Sequence, residues 1–157
     1  MSTATLHAPV STVAPSSTAE AEILTLIESM LKANYVKDAA AFAAPFSPEA
    51  AVFNLAPPLV HHGIDLKEKQ AWLDSWETPV SLEPRDFKVT VSGDLAFVHG
   101  FLRMTGTKKG AEREVDFWMR ETLCLERVAG AWKIVHEHTS VPFYMDGTLR
   151  PAFDLRP

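Results

Sequence analysis

Glu121 and Glu137 are the residues on which chemistry in this chain would turn. They lie in two long runs rich in β-branched and aromatic residues, 114–127 and 131–141, separated by Val128-Ala129-Gly130. Read as strands, these runs send successive side chains to opposite faces. A three-residue loop with glycine in the left-handed position pairs Arg127 with Ala131. Leu123 then falls opposite Val135, Glu121 opposite Glu137, and Met119 opposite Thr139. Two carboxylates so placed have β-carbons about 5 Å apart. If enclosed they repel, and one takes up a proton with a raised pKa, giving an acid–base pair. Glu137 is the expected base and Glu121 its acid partner. If 108–110 is also a three-residue loop, His99, Phe101 and Arg103 join the same face. His99 is then a third catalytic candidate, and Arg103 orients an anionic or carbonyl substrate. Asn54, Trp72, Trp76, Phe101, Met119 and Thr139 complete the expected substrate-binding set. A second reading stands beside this one: a structural network in which Arg103 and His99 neutralise the glutamates.

The other face of the hairpin carries Asp116, Trp118, Arg120, Thr122, Ile134, His136, His138 and Ser140. Histidines two apart on a strand point the same way, as metal ligands can, but Asp116 is too far along to be a third. No metal is expected. The small residues Ala96, Val98 and Gly100 suggest close approach of another surface, so this face reads as a homodimer interface. Cys124 has no histidine or helix N-terminus expected beside it and reads as a small apolar residue. His61-His62 lies in a loop at the expected pocket mouth; exposed loop histidines are more often inert.

Helices must bring these strands to a core. Ser17-Thr18-Ala19-Glu20 has the pattern of a capping box, and Ile23, Leu24, Ile27, Leu31 and Tyr35 follow at helical spacing to about Asn34. Asp38 caps a short helix over 39–44, which Pro45 stops. A strand is expected over 51–55 and a turn at His61-His62-Gly63. Asp65 caps a third helix with Leu66, Trp72, Leu73 and Trp76 on one side. Strands follow over 80–91, with Pro84 marking an edge or bulge, and over 95–105. Helices first and an antiparallel meander after define an α+β fold, a curved sheet wrapped around helices.

At 157 residues with a net charge of −5 the chain reads as one domain, residues 17–157, after a disordered leader over 1–16 that lacks Asp, Glu, Lys and Arg. No basic stripe suggests a nucleic-acid partner, and no apolar run approaches a membrane span. The single cysteine, with no secretory signal, fits a cytoplasmic location.

Residues 51–59 (AVFNLAPPL), 115–124 (VDFWMRETLC) and 132–143 (WKIVHEHTSVPF) resemble the SnoaL-like, ketosteroid-isomerase-like proteins of the nuclear transport factor two-like superfamily. The similarity covers about residues 20–157. It implies a cone: three N-terminal helices against the concave side of a bent mixed sheet, a ligand pocket inside, and a homodimer through the convex side. The final hairpin also resembles the hub domain of calmodulin-dependent kinase. By this resemblance the isomerase's general base falls at Asn54, its oxyanion-hole tyrosine near Met30 and its oxyanion-hole acid near Leu123. None of these three side chains can perform the corresponding role. SnoaL-like relatives usually carry Asp where Asn54 and Tyr144 stand, so two carboxylates are missing. A hub arginine that binds small carboxylates matches Arg103, while its companions fall at Leu123 and Thr139.

The expected function is cofactor-free acid–base chemistry of the isomerase, cyclase or lyase type. Its substrate is a small, largely apolar molecule with a carbonyl or carboxylate. The alternative is a non-catalytic ligand-binding or oligomerising module; the missing carboxylate at position 54 favours it.

Overall fold

A computed structural model describes residues 17–157; the leader expected over 1–16 lies outside them. Helix α1 (Thr18–Tyr35) begins where the capping pattern places it, with the Ser17 hydroxyl accepting from the Glu20 N–H at 3.2 Å. Helix α2 (Ala39–Ala43) is capped by Asp38, whose carboxylate accepts from the Ala41 N–H at 2.9 Å. Helix α3 (Leu66–Asp74) is capped in the same way by Asp65 toward Glu68, at 2.8 Å. Each cap satisfies a donor that the first helical turn leaves open.

Strand β1 (Phe46–Phe53) starts earlier than expected. Its register against the last strand shifts between Phe46 and Ala51, where Pro48 breaks the ladder. His61-His62 is not a plain turn but a two-residue strand, β2 (His61–His62), antiparallel to β1. Strands β3 (Ser81–Ser92), β4 (Leu95–Gly106), β5 (Val115–Val128) and β6 (Ala131–Ser140) form the meander. The six-stranded sheet has the order β2-β1-β6-β5-β4-β3, antiparallel except for the β1–β6 pair. Pro84 sits on the edge strand, where a missing N–H is tolerated. The concave face and the helices share one core, with Ile23, Ile27, Val98, Leu123 and Ile134 essentially inaccessible. Among the described residues no helix is long and apolar enough to cross a membrane.

The β5–β6 turn has two residues, not three. Ala129 and Gly130 both have positive φ, 49° and 83°, and Val128 pairs with Ala131. This is the primed turn that matches strand twist. Alone it would put odd residues of β5 opposite even residues of β6, and it does so as far as Leu125 and Ile134. A bulge at Val135 then inserts one extra residue, so that Cys124 pairs with His136 and Leu123 with Glu137. Trp132 and Ile134 before the bulge are therefore buried, and after it Glu137 and Thr139 face the interior. Ile134 is a core residue, not part of the outer face.

The β4–β5 connection overturns a larger expectation. It spans eight residues, 107–114, and Gly106 pairs with Val115. Odd residues of β4 therefore share a face with even residues of β5: Arg103 pairs with Trp118, Phe101 with Arg120 and His99 with Thr122. His99, Phe101 and Arg103 are on the convex face. Ala96 and Val98 point inward and are buried. The surface that Gly100 admits belongs to this chain: β3 bulges between Arg85 and Lys88, and a β-carbon at Gly100 would run into the Phe87 ring.

Candidate functional site

Between the helices and the concave face lies a cavity of about 440 Å³. Its walls are largely apolar, with Met30, Phe42, Trp72, Leu102 and Met119 among them, and it is polar at a few points only. This is the usual build of a small-molecule site. Glu121, Glu137, Thr139 and Asn54 line it, as does His61 at β2.

Glu121 and Glu137 meet, but not face to face. Glu121 pairs with Thr139 and Glu137 with Leu123, so the two glutamates are diagonal neighbours. Diagonal positions on one face are within reach of long side chains. Glu121 is 3 % exposed, and its Oε2 is buried without a hydrogen-bond partner. Burial first, then the Glu137 charge and a carboxyl–carboxyl hydrogen bond, hold its pKa well above the carboxylate range. Glu137 is raised from 4.5 to about 7 by burial, opposed by the positive charge of Lys69 and by the hydrogen bond to Glu121. That bond raises one group and lowers the other, as expected if Glu121 donates and Glu137 accepts. As pH rises the pair gives up the Glu137 proton first, and the proton it keeps longer resides on Glu121.

Lys69 was not anticipated. It lies on α3, one turn before the buried Leu73, and lines the cavity. Its Nζ is 3.6 Å from the Phe42 ring centroid and 4.6 Å from that of Trp72. It donates to Asn34 Oδ1 at 2.9 Å, and Asn34 Nδ2 donates to the Val80 carbonyl at 3.1 Å. Burial lowers the Lys69 pKa from 10.5 to about 8, with Glu137 pulling it back up. A charged residue in the middle of an otherwise apolar stripe, Leu66, Lys69, Leu73, Trp76, was the signal for it. Asn34, fully buried on α1, was the matching signal for its partner.

Four expected site residues are elsewhere. Arg103 makes a bidentate ion pair with Asp116 on the convex face, at 2.9 and 3.0 Å, with Glu83 at 3.7 Å. His99 is exposed and stacks on Phe97, with ring centroids 6.1 Å apart. Phe101 is exposed on the same side. Neither Arg103 nor His99 neutralises the glutamates; Lys69 provides the positive charge. Trp76 is buried behind Trp72, ring centroids 5.5 Å apart, and does not reach the cavity. Its bulk belongs to the core.

On the convex face His136 Nδ1 meets the Ala51 carbonyl at 2.7 Å, and the Phe53 ring contacts both His136 and His138 edge-on. Among the described residues no three His, Cys, Asp or Glu side chains converge as a metal site would require. Cys124 does have a histidine beside it, contrary to expectation: His136 is its cross-strand partner, occupied by the Ala51 carbonyl.

A curved mixed sheet closed by three helices around an internal cavity is the cone of the NTF2-like fold. The chain belongs to the SnoaL-like domain family, whose profile matches residues 23–144. An NTF2-like protein of unknown function from Pseudomonas putida KT2440 is 30 % identical, with 88 % of this chain and 96 % of that chain covered and a TM-score of 0.77. A proposed scytalone dehydratase from Novosphingobium aromaticivorans is 16 % identical over 85 % and 90 % of the two chains, with a TM-score of 0.71. A proposed ketosteroid isomerase from Shewanella frigidimarina is 21 % identical over 74 % and 92 %, with a TM-score of 0.59. None of the curated proteins matches the chain. Asn54, Met30 and Leu123, onto which the isomerase's catalytic residues fall, all line the cavity.

Proposed function

We propose that the protein is a cofactor-free acid–base enzyme of the isomerase, cyclase or lyase type. Its substrate is a small, largely apolar carbonyl compound held in the cavity. One observation carries this reading: two neighbouring glutamates and Lys69 converge on the wall of an apolar chamber, where burial displaces the pKa of each. Glu137, with a pKa of about 7, is matched to removing a proton at neutral pH. The Lys69 ammonium and the Glu121 carboxylic acid are placed to stabilise the negative charge that develops on the substrate oxygen. Thr139 and Asn54 offer hydrogen bonds that orient the substrate, while Trp72 and Met119 pack against its apolar body. The constellation supplies a base and two donors from positions other than Asn54, Met30 and Leu123.

The test is a panel of cyclic ketones and β-hydroxy ketones in D2O, followed by proton NMR for α-carbon deuteration or loss of water. Wild type is expected to turn over at least one class. Glu137→Gln should lose on the order of a hundredfold or more, while Arg103→Ala should match wild type. A fully active Glu137→Gln refutes the role.

The alternative, a non-catalytic binding module, is favoured by Asn54, an amide whose Oδ1 is already tied to the Leu55 N–H at 3.0 Å. It predicts a copurifying ligand, detected by mass spectrometry, that the protein leaves unchanged. In either case we place a homodimer on the convex face, where Phe53, Phe97 and Phe101 stay exposed at 39, 44 and 36 %. Light scattering in solution tests it.

A further inference from the structure

We propose that Lys69 is a nucleophile: its amine condenses with the carbonyl carbon of an aldehyde or ketone in the cavity, while Glu137 and Glu121 move the protons. This rests on the reading of the cavity as the substrate site, and it replaces purely hydrogen-bonded activation of the carbonyl by a covalent iminium.

The geometry is that of a desolvated reactive amine. Lys69 Nζ lies against the Phe42 and Trp72 rings, and none of the ion pairs among the described residues includes it. One N–H is held by Asn34 Oδ1, and the Asn34 amide is fixed in that orientation because its Nδ2 donates to Val80. The amine is thus tethered in position on the cavity wall. The titratable groups lining the same space are Glu121 and Glu137 from the sheet, His61 from β2, Asp65 at the cap of α3 and Glu68 on its first turn. Lys69 at about 8 and Glu137 at about 7 exchange a proton at little cost.

The steps balance. Glu137 takes a proton from the Lys69 ammonium, which frees the nitrogen lone pair. That pair forms the C–N bond as the C=O π electrons move to oxygen, which takes the Glu121 proton. The nitrogen returns a proton to Glu121, giving a neutral carbinolamine. Glu137 then protonates the hydroxyl, water leaves, and the nitrogen lone pair closes the C=N bond. Ammonium and carbonyl have become iminium and water, and both glutamates are back in their starting states. The iminium acidifies the neighbouring C–H, whose proton Glu137 can now remove to give an enamine.

Benzaldehyde, which has no α-hydrogen and stops at the imine, is the probe. The full-length protein is incubated with benzaldehyde and sodium cyanoborohydride at pH 7, and the tryptic map is read by mass spectrometry. Binding is followed separately through quenching of tryptophan fluorescence. Lys69 is expected to gain a benzyl group on the order of tenfold faster than Lys67, Lys108 or Lys109. Glu137→Gln should slow that labelling. In Lys69→Arg, no lysine should label faster than these three. Labelling spread evenly over the lysines overturns the proposal. Quenching without Lys69 labelling also overturns it, while leaving the acid–base reading intact. Neither quenching nor labelling overturns the covalent step as well, and the acid–base reading then stands or falls on the ketone panel with Glu137→Gln.

Discussion

Glu137→Gln should change how stability depends on pH, and by a calculable amount. In the folded chain the Glu137 pKa is about 7, against an ordinary 4.5. Between those values the folded state holds a proton that the unfolded state has released. Stability contributed by this group is therefore complete below about 4.5 and is lost as pH rises to about 7. The whole loss amounts to about 3 kcal/mol at 1.4 kcal/mol per tenfold change. Glutamine keeps the shape and cannot titrate, so the variant lacks that decline. Burial, the first cause of the raised Glu121 pKa, is the same in both proteins, so that part of its contribution cancels in the difference. Lys69, deprived of the Glu137 charge, has its pKa lowered further, which adds to the variant's relative gain with pH. The measurement is urea unfolding of both proteins at half-unit steps from pH 4.5 to 8. The difference in unfolding free energy should drift by about 3 kcal/mol in favour of the variant. Parallel curves would mean that Glu137 ionises as an ordinary surface carboxylate, and the buried pair would be wrong.

Lys69→Met should abolish a rise in stability with pH. The folded lysine, at about 8, binds fewer protons than the unfolded one between about 8 and 10.5, so the wild type gains stability across that window. Thermal melts from pH 7.5 to 10.5 should show the gain in wild type alone. Gly100→Val should cost about 1–3 kcal/mol, because its side chain would occupy the space of the Phe87 ring; the drop should appear in urea midpoints, with Phe87→Ala partly rescuing it. Arg103→Ala removes a half-exposed ion pair with Asp116 and should cost no more than about 1 kcal/mol. Calorimetric binding of any cavity ligand should be unaffected by it.

Much of the fold was legible because it is written locally. Ser17, Asp38 and Asp65 announce their helices through short-range hydrogen bonds that need no tertiary context. The pairing of Glu121 with Glu137 was reached from the right hairpin but the wrong turn. A two-residue turn and the bulge at Val135 offset one another, so the parity came out right although the pairing partners did not. The β4–β5 parity had no such correction. An eight-residue loop leaves no local signal of how many residues it consumes, and a register error of an odd number of residues moved His99, Phe101 and Arg103 to the wrong face. Lys69 was missed for a related reason: its role depends on Asn34 and Glu137, which only the folded chain brings near α3.

The extra residue at position 135 has a consequence for how such cones diversify. Upstream of it the strand offers one half of its alphabet to the interior; downstream it offers the other. Were Val135 drawn into the regular ladder opposite Cys124, His136 and His138 would replace Glu137 and Thr139 in the chamber, recasting its chemistry in one step while Trp132 and Ile134 went on anchoring the strand.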